Sequence, residues 1–148
     1  MSDCIFCKMV RGEIPVTKIY ESEHFFAILD LHPITEGHAL VIPKRHFEKQ
    51  VEMNAEENAD FGAALTAVAN ILKKEFGDHM NLSNTSGKHA SQSIPHYHMH
   101  VIPRQEGDRL WDGEKSRIVL DTGSGFPRLE PSPEEIKQLA DKLKGDTQ

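Results

Sequence analysis

Three histidines, His96, His98 and His100, stand at every second position of the stretch SIPHYHMHVIPR, residues 93–104. That spacing admits three readings. A neutral imidazole can attack phosphorus or carbon when its neighbours tune it. Three imidazoles can hold a catalytic zinc ion. Three half-exposed surface histidines can also have no chemical task. Alternate side chains of a strand share one face, about 6.5–7 Å apart. His96, His98 and His100 therefore share one face, and Tyr97, Met99 and Val101 the other, which is the natural core face. Three buried imidazoles each need a hydrogen-bond partner, which favours a cleft over filler. Gln92 and Ser93 precede the triad, at the end of a polar loop (85–93) whose backbone N–H groups could form an anion nest. A phosphate held beside a histidine suits that company. At neutral pH an unperturbed imidazole is mostly in the neutral, attacking form.

A second set of reactive groups is Cys4-x-x-Cys7, the only two cysteines of the chain. Two buried thiols, a redox pair or half of a zinc knuckle all fit this spacing. The pair is too small for a secreted disulfide framework.

These residues need elements to position them. TKIY (17–20) and HFFAILD (24–30) read as two short strands joined by a turn at ESE, and HALVIP (38–43) as a third, stopped by Pro43. Phe61, Ala64, Leu65, Val68, Ile71, Leu72 and Phe76 then recur at helical spacing. Asn54 with Glu57 predicts a capping box at the start of that helix, and Gly77 its end. MNLSN (80–84) is a fourth strand and HYHMHVI (96–102) a fifth. Residues 104–129 are irregular. Ser132, Pro133 and Glu135 announce a last helix, with Ile136, Leu139, Ala140 and Leu143 on one face and Gly145 beyond its end.

The 148 residues suit one domain, and 38% hydrophobic with 27% charged residues is an ordinary globular balance. A net charge of −6 with no basic tract argues against a nucleic-acid polymer as partner. An anionic substrate would have to be held by local donors. No apolar run reaches membrane-spanning length. The start, MSDCIFCKMV, shows no charged leader or apolar h-region, so a cytoplasmic protein is expected.

His96-Tyr97-His98-Met99-His100-Val101-Ile102 resembles the motif of the histidine triad (HIT) family, His-φ-His-φ-His-φ-φ with φ apolar. GHALVIPKRH (37–46) is similar to the family's second signature and CIFCKMVRGEIP (4–15) to its N-terminal one. ILDLHP (28–33) sits where the family places an acidic residue for the ribose. The resemblance covers residues 4–105 of a single HIT domain, with 106–148 as a C-terminal arm and helix. It implies an α+β, HIT-like fold: a five-stranded antiparallel sheet, one long helix and a C-terminal helix, usually in a homodimer. It also implies hydrolysis of a purine nucleotide at the α-phosphate through a covalent nucleotidyl-histidine. The substrate would be a nucleoside phosphoramidate, an adenylate conjugate or a dinucleoside polyphosphate.

Carried onto this chain, the resemblance makes His98 the nucleophile and His100 a donor to the phosphate oxygens. Ser93, with the backbone around Ser93 and Ile94, would hold the phosphate or steady the leaving group. Gln92 would bind phosphate or position water, and Asn84 would reach sugar or phosphate. Asp30 would accept from the ribose hydroxyls. Ile5, Phe6, Met9 and Ile28 would line the base, with Leu29 and Leu31 flanking the ribose, and His38 would support the triad. A microbial branch of the family implies a structural zinc on Cys4, Cys7, His46 and His96. Ser91-Gln92 replaces the Gly-Gln pair of the phosphoramidate-hydrolysing branch, whereas IPHYHMHVIPRQEGD is similar to the diadenosine polyphosphate-cleaving branch. Two other functions compete: a nucleotide-binding regulator or scaffold with little turnover, and a catalytic three-His zinc hydrolase. His24, His32, His79 and His89 are expected in solvated or capping roles, and Trp111 in the core or an interface.

Overall fold

The computed structural model describes residues 3–111 and 128–145. Expectations that fall on 112–127 lie outside the described residues. Five strands form one antiparallel sheet: β1 (Tyr20–Glu21), β2 (Phe25–Leu29), β3 (Ala39–Pro43), β4 (Met80–Ser83) and β5 (Met99–Pro103), in the order β1-β2-β3-β5-β4. Three helices accompany it: α1 (Ile5–Val10), α2 (Ala55–Phe76) and α3 (Pro133–Gly145). None of the described helices is long and apolar enough to cross a membrane.

Every residue of β2 and β3 is buried, because helices cover both faces of the sheet. Phe25, Ala27, Leu29, Ala39, Val41, Tyr97 and Val101 face α2 and α3, meeting Ala64, Val68, Leu72, Ala140 and Leu143. The alternate residues Phe26, Ile28, Leu40 and Ile42 meet Phe6 and Met9 of α1 on the opposite face. Strand alternation thus divides one hydrophobic run between two cores. The second core is the wall against which the triad histidines sit.

The long helix forms as its pattern predicts. Asn54 Oδ1 accepts from the Glu57 N–H (2.9 Å), and the Glu57 carboxylate accepts from the Asn54 N–H (3.0 Å). Arg45 clamps the same carboxylate at 2.8 and 2.9 Å, which holds Glu57 below the usual carboxylate range. In α3, Ser132 caps the Glu135 N–H at 3.1 Å, and Gly145 is the helix's last residue rather than lying beyond it. Lys142 joins α3 to Glu75 of α2 at 2.8 Å.

Most strand ends fall within a residue of expectation, and three elements differ more. β1 is two residues long, although Ile19 N–H still bonds to the Ala27 carbonyl (2.9 Å). β5 starts at Met99, so His96 and His98 precede the strand. There the backbone bonds to loops: Tyr97 N–H donates to the Phe47 carbonyl (2.7 Å), and Asn84 Nδ2 takes the His98 carbonyl (2.9 Å). The predicted alternation survives, with Tyr97, Met99 and Val101 on the α2 side. The third difference is α1, a six-residue helix capped by the Cys4 sulfur. Cysteine is not a customary cap, so no start signal was legible.

Gly37 sits just before His38 with φ of 87°, and an added Cβ would lie 2.4 Å from the Phe76 ring. Both the left-handed backbone and the contact oppose a side chain there. Gly37→Ala is expected to cost about 1–3 kcal/mol in urea denaturation; an unchanged midpoint would contradict the packing described.

Candidate active site

The triad region borders a cleft of about 460 Å³. Its walls include Ile5, Phe6, Met9, Ile28, Leu29, Asp30, Leu31, Ser93, Ile94, His98 and His100, eleven of the expected substrate residues, joined by His32, Leu40 and Arg128. Helix α1 supplies one apolar wall and β2 the other. Ile5 (39%) and Leu31 (50%) remain exposed, at the rim.

Gln92 and Asn84 are not among the lining residues. Gln92 Oε1 accepts from the Gly87 N–H (2.6 Å), and its Nε2 donates to the Glu48 (2.8 Å) and Ile94 (3.2 Å) carbonyls. Its amide therefore closes the loop that carries Ser93. Asn84 spends its amide N–H on the His98 carbonyl and accepts from Ser86 Oγ (2.5 Å).

Backbone partners decide the imidazole tautomers, because a carbonyl only accepts and an N–H only donates. His98 Nδ1 lies 2.7 Å from the His96 carbonyl, so Nδ1 carries the proton and Nε2 keeps its lone pair. His38 Nδ1 accepts from the Ile34 N–H (3.0 Å), so its proton is on Nε2, 2.8 Å from His100 Nδ1. His100 accepts there and holds its own proton on Nε2. Two adjacent rings, with centroids 5.1 Å apart, thus differ in kind: one offers a lone pair, the other a proton. Burial lowers the pKa of all three, His38 well below the ordinary value and His100 to about 3. Desolvation disfavours the charged form, so the rings stay neutral at physiological pH.

Asp30 closes the far side of the cleft. Its Oδ1 accepts from the His32 N–H (2.8 Å); its Oδ2 faces His38 Nε2 at 3.7 Å and Arg128 Nη1 at 3.6 Å. Burial raises its pKa, opposed by the His32 bond and by Arg128.

His96 turns away from this group. Its Nε2 donates to the Pro43 carbonyl (2.8 Å), which leaves Nδ1 as a ligand atom. That nitrogen lies 3.3 Å from Cys4 Sγ, 3.7 Å from Cys7 Sγ and 3.1 Å from His46 Nδ1, and Cys7 Sγ is 3.3 Å from His46 Nδ1. All four ligand atoms lie within 4.8 Å of one another. At a tetrahedral zinc, bonds of ~2.3 Å to sulfur and ~2.0–2.1 Å to nitrogen place ligand atoms roughly 3.3–3.8 Å apart. The cluster has that size, and the Pro43 bond is the outer-sphere contact a ligating histidine needs. Burial, then the bond to Cys4, raises the Cys7 thiol, a cost a cation would remove.

Among the described residues one other group could gather an ion, Asp30, His38 and His100. There His38 holds a proton on Nε2 and has its Nδ1 lone pair engaged, so the group is a hydrogen-bond relay. Neither group contains all three triad histidines. Ligation by His96, His98 and His100 together finds no support in this geometry.

His24, His79 and His89 lie outside the cleft, whereas His32 borders it and presents its backbone to Asp30. Trp111 is half-buried in a separate cavity beside Met80 and Asn81. Leu40, His32 and Arg128 are additions to the expected wall. Leu40 was legible as the neighbour of Ile42 on the α1 face of β3; Arg128, from a distant irregular segment, carried no signal.

Residues 11–107 match the HIT domain family, and the chain belongs to it. An uncharacterized HIT-like protein of Methanocaldococcus jannaschii is 45% identical over 120 residues, covering 80% of this chain and 93% of that one. The adenosine 5'-monophosphoramidase of Schizosaccharomyces pombe is 36% identical over 140 residues, 95% of both chains. A zinc-bound histidine triad family protein of Mycobacterium smegmatis superposes with a TM-score of 0.73 at 32% identity, covering 99% of this chain and 96% of the other. The expected five-stranded α+β fold is therefore present.

The tautomers and the burial give a pH expectation. An unfolded histidine titrates near ~6.5, whereas His100 lies at about 3, with His38 and His98 also lowered. Stability from these neutral rings is complete above about pH 6.5 and is lost as pH falls toward the folded values. Nitrogen-15 spectra at neutral pH should show His98 as the Nδ1–H form and His38, His96 and His100 as Nε2–H forms. A protonated Nε2 on His98 would refute the assignment.

Proposed function

We propose that the chain is a hydrolase of nucleoside phosphoramidates and related dinucleoside polyphosphates, cleaving at the α-phosphate through a nucleotidyl-histidine at His98. The observation that carries the reading is the His98 Nδ1–H bond to the His96 carbonyl, which leaves a neutral Nε2 lone pair on a ring that lines the cleft. The similarity to a protein named as an adenosine 5'-monophosphoramidase supports the substrate class.

In the first step His98 Nε2 bonds to phosphorus as the bond to the leaving group breaks, an amine departing with a proton from solvent and a phosphate departing as its anion; the later water step returns that proton. His100 donates Nε2–H to a non-bridging phosphate oxygen, and Ser93 steadies the departing group. Water then cleaves the phosphorus–nitrogen bond, releasing the mononucleotide and restoring His98. Preorganised donors act best where water is excluded, and the buried rings provide that setting. Asp30 accepts from the ribose hydroxyls, as a carboxylate suits two vicinal donors. Ile5, Phe6, Met9 and Ile28 cover the purine. Asn84 and Gln92 act at one remove, by fixing the His98 carbonyl and the Ser93 loop. The same reading takes a homodimer as the working form: β4 lies at the sheet edge with Leu82 about half exposed, a surface suited to a second copy.

His98→Ala should reduce AMP release from adenosine phosphoramidate by at least ~1,000-fold with little change in thermal stability. Quenched turnover with labelled nucleotide should leave an acid-labile adduct on His98. An active preparation with no adduct there rejects covalent catalysis, and tight nucleotide binding without turnover points to the regulator instead.

The four-ligand cluster is proposed to hold a structural zinc ion on Cys4, Cys7, His46 and His96, which would tie α1 to the start of the triad. Elemental analysis should find about one zinc per chain, lost in Cys4→Ser. Chelation should lower the melting temperature before it lowers activity at equal folded fraction; immediate loss of activity in a fully folded protein would indicate a catalytic metal.

A further inference from the structure

Among the described residues that line the cleft, Arg128 is the only lysine or arginine. It arrives from the C-terminal segment, far from the triad motifs in sequence. Three contacts join that segment to the turn after β2. Arg128 Nη1 donates to the His32 carbonyl (2.8 Å), the same Nη1 lies 3.6 Å from Asp30 Oδ2, and Leu129 N–H donates to the Pro33 carbonyl (2.8 Å). The backbone of His32 is thus held on both sides of its Cα: its N–H fixes Asp30 Oδ1, and its carbonyl fixes the guanidinium that faces Asp30 Oδ2. Both side chains are largely shielded, with Arg128 21% and Asp30 16% exposed.

We infer that Arg128 is a positioning residue for sugar recognition: by clamping the 30–32 turn and facing the Asp30 carboxylate, it makes the cleft select nucleotides with intact ribose hydroxyls. This rests on the proposed role of Asp30 as the ribose acceptor. The physical reason is the cost of a shielded carboxylate. Burial favours the protonated acid, which offers one fewer acceptor site to a diol. A guanidinium at 3.6 Å favours the ionised form without taking over the carboxylate, because its short bond goes to the His32 carbonyl. Oδ2 therefore has no short hydrogen bond to the guanidinium, and Oδ1 is anchored by an N–H. A guanidinium in direct bidentate contact would instead occupy the lone pairs a ribose needs.

The test is calorimetric titration of AMP and of 2′,3′-dideoxy-AMP into wild type, Arg128→Gln, Arg128→Lys, Asp30→Asn and the double variant, with melting temperatures recorded for each. Wild type should bind AMP about tenfold or more tightly than the dideoxy nucleotide. Arg128→Gln should reduce that preference to within about threefold through weaker AMP binding, with the dideoxy affinity unchanged. Arg128→Lys, which keeps the charge, should retain an intermediate preference. The double variant should discriminate no worse than Asp30→Asn, as expected when one residue acts through the other. Equal weakening of both nucleotides in a folded Arg128→Gln would mean a direct phosphate contact and overturn the inference, as would an unchanged preference. A wild type that binds both nucleotides alike would remove Asp30 from sugar recognition and the inference with it, while leaving the proposed chemistry at His98 intact.

Discussion

One hydrogen bond, 2.7 Å from His98 Nδ1 to the His96 carbonyl, decides which nitrogen of the central ring has a lone pair to give. A neutral imidazole has two tautomers of similar energy in water, and only a fixed partner selects one. The partner here is a backbone oxygen, and three parts of the fold hold it in place. The His96 ring is bound through Nε2 to Pro43 at the end of β3. Its other nitrogen sits in the cluster with Cys4 and Cys7 at the start of α1. The next residue but one is held by Asn84 through its own carbonyl. The N-terminal helix, the sheet and the polar loop thus converge on the orientation of one ring.

The second ring is set by the opposite rule. Its relay begins at a donor, the Ile34 N–H, and passes through His38 to His100. A chain that begins at a carbonyl leaves a lone pair at its free end, whereas one that begins at an N–H leaves a proton. The backbone's fixed polarity therefore produces an acceptor and a donor side by side from two identical side chains. Burial keeps both neutral, so neither the lone pair nor the proton is lost to bulk water near pH 7. In a chain with a net charge of −6, such local dipoles add favourable potential for an anion to that of Arg128 in the cleft wall.

Much of this arrangement was legible because it depends on short-range period. Alternation in 96–102 predicts which residues face α2 whether or not the segment is formally a strand, so the late start of β5 does not disturb it. The capping box at Asn54 and the apolar stripe of α2 are local patterns and formed as such. The gathering of Cys4, Cys7, His46 and His96 came through family resemblance, since spacing alone left the cysteine pair open. What was hidden depends on the loops. Gln92 and Asn84 look like ligand-binding amides in sequence, yet their partners are backbone groups of Gly87, Glu48 and His98, which no pattern reveals. Arg128 lies far along the chain from Asp30 and His32, and its contacts with them follow no local period.

Asp30 creates a conflict that the fold has to resolve. Its Oδ2 is 3.7 Å from His38 Nε2, the atom whose proton serves His100 at 2.8 Å. A carboxylate is the stronger acceptor, and a shift of less than an ångström would draw the proton toward it. His100 Nδ1 would then lose its donor, and the ring would be free to reverse its tautomer, turning a proton donor in the cleft into a second lone pair. The His32 N–H and the Arg128 guanidinium compete with His38 for the carboxylate. The same contacts that present Asp30 to the cleft therefore also protect the His38–His100 relay. Binding geometry and tautomer control are two consequences of where one carboxylate is held.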